Sequence, residues 1–107
     1  MSSPFERLAD LDRLIHEPAR LAIMSALSAC QSADFVFLQR ITGLSKGNLS
    51  SHLSRLEEAG LLTVSKEFVG RVPRTSAALT PQGRERVAAH WRDLEQIGRE
   101  ARRWRPS

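Results

Sequence analysis

Apolar residues recur along most of this chain at spacings of three and four, and alternate with polar ones only in a stretch after residue 60. Phe5, Leu8, Leu11, Leu14 and Ile15 predict a short amphipathic helix over about 4–16, broken before Pro18. Pro18 can occupy the first position of a second helix, whose apolar residues are Leu21, Ile23, Met24 and Leu27. The polar run SACQSAD predicts a break, after which Asp34 can cap a third short helix with Phe35, Leu38 and Ile41 as core candidates. Thr42 and Gly43 then predict a tight turn that Leu44 plugs against the core.

Ser45 opens a fourth helix, because its hydroxyl can accept the unpaired N–H groups of the first turn. Leu49, Leu53 and Leu56 fall on one face, leaving Lys46, Asn48, Ser50, Ser51, Ser54 and Arg55 on the others. Two helices joined by a short glycine-containing turn make a helix-turn-helix pattern. Gly60 stops the fourth helix, and Leu61 and Leu62 return the chain to the core. Leu62, Val64 and Lys66 alternate with Thr63 and Ser65 as a half-buried strand should. Phe68 to Pro73 is the predicted hairpin tip, and Thr75 to Thr80 the returning strand. Thr80 and Pro81 are placed as the cap and first residue of a last helix that runs to about Trp104.

This order predicts an α+β fold, a winged helix-turn-helix with a two-stranded wing and flanking N- and C-terminal helices, as a single domain over 1–107. At 107 residues the length suits one modest core and not a DNA module plus a separate ligand domain. Lys and Arg number 16 against 12 Asp and Glu, a formal net charge of +4, which favours polyanionic partners. All but Lys46 and Lys66 of the cations are arginines, whose planar fork pairs with phosphate or guanine.

A polar, weakly basic helix face suits the major groove, which admits one helix and offers base-edge donors and acceptors. Lys46, Gly47, Asn48, Ser50, Ser51 and Arg55 are therefore DNA-contact candidates, with Ser45 at the start of the helix. A solvated helix face is the plain alternative, but Gly47 and the serines weaken a helix and are odd choices where nothing approaches closely. At the hairpin tip, Arg71 and Arg74 flank Val72 and Pro73. One arginine would enter the minor groove and the other reach phosphate. Arg40 and Lys66 are further phosphate candidates. His52 could touch the DNA backbone, although a lone histidine more often sits as a partly buried neighbour of the core.

The last helix carries Val87, Trp91, Leu94, Ile97, Ala101 and Trp104 at spacings of three and four. Val87 and Trp91 are assigned to the domain's own core. Leu94, Ile97, Ala101 and Trp104 extend beyond it and, with Phe5, Leu8 and Leu11, predict a dimer interface built from helices at about 4–16 and 81–104.

Other chemistries find little in the sequence. Cys30 stands alone, so no intrachain disulfide or zinc-spaced cysteine cluster exists, and a small buried hydrophobe is favoured over a redox sensor. His16, His52 and His90 lie on three separate predicted helices and are not expected to converge on a metal. No nucleophile motif or glycine-rich phosphate loop occurs, so no enzyme and no cofactor are expected. The N-terminus lacks a signal-peptide pattern, and no segment suits a bilayer, so a cytoplasmic protein is expected.

In IHEPARLAIMSAL at 15–27, FLQRITGLSKGNLSSHLSRLEEAGLL at 37–62 and FVGRVPRTSAALTPQGRE at 68–85, the chain resembles small winged-helix DNA-binding transcriptional regulators related to the MarR and ArsR groups. The resemblance implies a homodimer, a recognition helix over 45–59 and a wing centred on 70–74. It also implies that Arg20 orients the fold or touches phosphate. Metal-sensing ArsR members carry thiolate ligands that this chain lacks, and larger MarR proteins have additional length for a ligand pocket. The expected function is a dimeric repressor binding double-stranded DNA, with any small-molecule effector unknown. A winged-helix protein-interaction module without specific DNA binding is the rival.

Overall fold

The computed structural model describes residues 3–107, which run α1 (Pro4–Ala9), α2 (Pro18–Ser28), β1 (Ala33–Asp34), α3 (Phe35–Thr42), α4 (Lys46–Glu58), β2 (Leu62–Val69), β3 (Val72–Leu79) and α5 (Pro81–Arg103). Side-chain oxygens fix where the helices start. Asp34 accepts from the Phe37 amide, Ser45 from that of Asn48 and Thr80 from that of Gly83, so the three predicted caps all serve. Glu17 does the same for α2, accepting from the Ala19 and Arg20 amides at 3.2 and 2.9 Å.

The first helix is shorter than its apolar spacing predicts, ending at Ala9 and not near residue 16. The Asp12 carboxylate takes the Leu14 amide at 2.9 Å, and the Arg20 guanidinium takes the carbonyls of Arg13 and Leu14 at 3.2 and 2.7 Å. Backbone groups that a helix would pair internally are thus paired by side chains. Ile15, 2% exposed, anchors this turn in the core.

The hairpin is tighter and its strands longer than predicted. β2 and β3 pair in unbroken register from Leu62 opposite Leu79 to Val69 opposite Val72, leaving Gly70 and Arg71 as a two-residue turn. Gly70, at φ +65°, takes the first central position, as a turn matching the strand twist requires. Pro73 lies within β3, opposite Phe68, where β3 has β2 alone as a neighbour, because β1 reaches only Ser76 and Ala77. Nothing in the residue pattern announces β1, because two residues are too short to show alternation. It adds a third strand, in the order β1-β3-β2.

The core is mostly leucine and isoleucine from every layer: Ile23, Met24 and Leu27 of α2, Leu38 of α3, Leu49, Leu53 and Leu56 of α4, with Leu61, Leu62, Leu79 and Val87. Of the three core candidates on α3, Leu38 is buried and Phe35 half-buried, while Ile41 is exposed. The start of α5 is pressed on the chain leaving α4. A methyl group at Gly83 would lie 1.9 Å from the Leu61 carbonyl oxygen, so only glycine fits. Farther along, Arg84 donates to the Cys30 carbonyl at 2.7 Å, tying α5 to the end of α2. Trp91 Nε1 donates to Ser25 Oγ at 2.8 Å. α1 covers the far half of α5, where Arg7 pairs with Glu100 and Phe5 meets Trp104 edge-to-face at 5.2 Å between centroids. The architecture is the expected α+β winged helix-turn-helix with flanking helices.

Candidate nucleic-acid interface

Burial of Leu49, Leu53 and Leu56 decides which residues α4 shows to solvent. Lys46, Gly47, Asn48, Ser50, Ser51, Ser54 and Arg55 are all exposed. Lys46 and Ser50 lie on the flank toward the hairpin, where they line a groove of about 660 Å³ with Lys66 and Arg74. Four residues predicted from two distant segments thus border one concave surface. Gly47, Asn48, Ser51 and Arg55 do not line it, and neither do Arg40, in the last turn of α3, or Arg71, in the hairpin turn. Ser45 has its hydroxyl oxygen engaged by the Asn48 amide at 3.2 Å and keeps its O–H to donate.

Three cations around a groove, with Arg71 beyond them, suit a polyanion. The carboxylates there are held by backbone: Glu57 accepts from the Val64 amide at 3.1 Å, and Asp34 caps α3. Phe68 and Val72, 73% and 66% exposed, bring apolar surface to the hairpin end, of the kind that packs on sugar faces or wedges between base steps in a minor groove.

Behind α4 stands a polar group whose assembly the sequence did not reveal. Arg20 is 8% exposed, and all three guanidinium nitrogens are in use: Nε and Nη2 on the Leu14 and Arg13 carbonyls, and Nη1 against His52 Nδ1 at 3.2 Å. The Glu17 carboxylate lies 3.7 Å from Arg20 Nη1 and 3.9 Å from His52 Nδ1. Burial resists ionisation of Glu17, but the Arg20 and Ala19 amides, then His52 and the Arg20 guanidinium, outweigh it and hold its carboxyl below the ordinary 4.5. Glu17 and Arg20 stand three residues apart at the start of α2, whereas the partner on α4 is brought to them only by the fold.

Two of the histidines, read in the sequence as lying on separate helices, come together. His16 Nδ1 lies 3.1 Å from His90 Nε2, because the turn ahead of α2 lies against α5. Among the described residues no group of three or more His, Cys, Asp or Glu is placed to hold a metal ion. No helix among them is long and apolar enough to cross a membrane.

The predicted interface residues divide. Phe5, Leu8 and Trp104 are 42–46% exposed, and Leu11, Leu94 and Ala101 are half-buried. Ile97 is 2% exposed, a correction: it is covered within the chain, and α1, which packs on this half of α5, supplies cover that the helical spacing of α5 alone could not disclose. Trp91, assigned to the core, is 43% exposed and only leans on α2.

Comparison with known proteins agrees with this fold. Residues 19–97 match the family model described as a winged helix DNA-binding domain. An uncharacterized protein of Methanocaldococcus jannaschii is 32% identical over 73 residues, which is 67% of this chain and 78% of that protein. The solved structure of a transcriptional regulator homologue from Pyrococcus horikoshii is similar at 30% identity and a TM-score of 0.79, over 88% of this chain and 92% of that one. Bordetella bronchiseptica BpsR, a protein whose DNA binding is regulated by 6-hydroxynicotinic acid, shares the fold at 22% identity and a TM-score of 0.71, over 90% of this chain and 76% of its own.

Proposed function

Because the chain belongs to the winged helix DNA-binding domain family, we propose that it is a dimeric, sequence-specific transcriptional regulator of duplex DNA, acting as a repressor. Family and fold point to a DNA-binding regulator and not to an enzyme. The observation that carries the finer reading is the grouping of Lys46, Ser50, Lys66 and Arg74 around one groove beside an otherwise polar, exposed α4. In this reading α4 enters a major groove, where Asn48 can pair with adenine and Ser50, Ser51 and Arg55 reach base edges or phosphates. The hairpin follows the adjacent backbone, with Arg71 at the minor groove and Lys66, Arg74 and Arg40 on phosphates.

Exposed Phe5, Leu8 and Trp104 at the α1–α5 end support a second copy docking there. Two-fold symmetry would then set the recognition helices about 34 Å apart and require an inverted-repeat operator. Repression follows if that operator overlaps a promoter.

Selection of random duplex DNA on the purified protein at physiological salt, with sequencing of the retained fraction, tests this. An enriched inverted repeat is expected. Retention without any enriched sequence would defeat specificity, and no retention would leave the fold as a protein-interaction module.

A further inference from the structure

We propose that His52 is a DNA-phosphate ligand, held by Arg20 in the single tautomer that turns an N–H outward from α4. This deepens the DNA-binding reading and rests on it. An arginine guanidinium can only donate, so Nδ1 of His52, 3.2 Å from Arg20 Nη1, must accept and carries no proton. In the neutral ring the proton then sits on Nε2. The guanidinium has no freedom to adapt. Its other nitrogens hold the Arg13 and Leu14 carbonyls, and the residue is buried. Glu17, which in a different arrangement could take a proton from Nδ1, stays 3.9 Å away.

Nε2 has no partner among the described residues, and no buried unpaired side-chain nitrogen or oxygen remains among them, so Nε2 is open to solvent. On α4, His52 lies four residues after Asn48 and three before Arg55, so the three share a face, and both neighbours are exposed. The outward N–H therefore stands between two residues already assigned to DNA. A neutral N–H adds directional hydrogen bonding to a phosphate oxygen without another cation, and costs no side-chain ordering because Arg20 has fixed the ring in advance. Arg20 is thus a positioning residue for DNA contact, acting through His52.

Two measurements on the full chain test this at pH 7.5. Nitrogen-15 correlation spectra of the labelled protein should show His52 with bare Nδ1 and protonated Nε2; the opposite tautomer or an imidazolium would overturn the proposal. Affinity for a mixed-sequence duplex of about three helical turns should fall about tenfold in His52→Leu. The slope of affinity against salt should stay unchanged, because a neutral donor releases no counterion. His52→Gln, whose amide offers both an acceptor to Arg20 and an outward N–H, should bind within about twofold of the original. Wild-type affinity in a folded His52→Leu protein would refute the role of His52 while leaving DNA binding intact. A parent protein that binds no duplex would refute both.

Discussion

His16 Nδ1 and His90 Nε2 face each other at 3.1 Å, joining the turn before α2 to the middle of α5. The gap holds one proton, so two charged rings cannot share it. Burial of His90, and then the nearby charge of His16, push the His90 pKa below its ordinary 6.5, with Asp12 and Asp93 opposing. In the unfolded chain His90 takes up a proton near 6.5, and in the fold it does so only at lower pH. Its contribution to stability is therefore complete above 6.5 and lost as pH falls toward the folded value. The melting temperature should decline over that interval, and His90→Gln should decline less; parallel curves would exclude His90 as the source.

Gly83 and Gly98 lie on the same helix and should respond oppositely to alanine. At Gly83 the new methyl meets the Leu61 carbonyl oxygen at 1.9 Å, a backbone atom that also accepts from Thr80, so Gly83→Ala should destabilise by about 3 kcal/mol or prevent folding. At Gly98 the nearest atom is the flexible Arg102 side chain at 3.5 Å, so Gly98→Ala should stabilise by up to about 1 kcal/mol. Chemical denaturation reads both.

Gly47, in the first turn of α4, has open space around its missing side chain. Gly47→Ala should therefore raise stability by up to about 1 kcal/mol. If α4 enters a groove, the same change should weaken duplex binding, because the added methyl meets DNA. Titration of labelled duplex with the stabilised variant separates the effects; equal or tighter binding would place Gly47 away from DNA.

Arg71 occupies the turn of the hairpin with its side chain exposed. Arg71→Ala should weaken binding and lower the salt slope by about one unit for each phosphate left unneutralised, or relax an A·T preference if the side chain reads the minor groove. Unaltered affinity, slope and preference would remove the wing from the interface.

Phe5 and Trp104 form an edge-to-face pair that remains nearly half exposed. Replacing both with glutamate should yield monomers by light scattering at concentrations where the parent protein is dimeric, since charge in an apolar interface is costly. A parent protein already monomeric at high concentration would refute the dimer.

Local rules were enough to determine the helix starts, because Asp34, Ser45 and Thr80 act on amides three residues away. They also determined the buried stripe of α4, since Leu49, Leu53 and Leu56 share a face whatever packs against them. With the polar residues left over, the exposed face of α4 was legible too. Tertiary structure alone decided what lies between segments distant in sequence. α1 stops early because Arg20 and Asp12 claim the backbone after it. Ile97 is hidden because α1 folds over α5. His52 has a fixed partner because α2 lies behind α4, and His16 meets His90 across 74 residues of chain. Periodicity reports which side of an element is apolar, but the identity of the covering neighbour depends on chain crossings that no local pattern encodes.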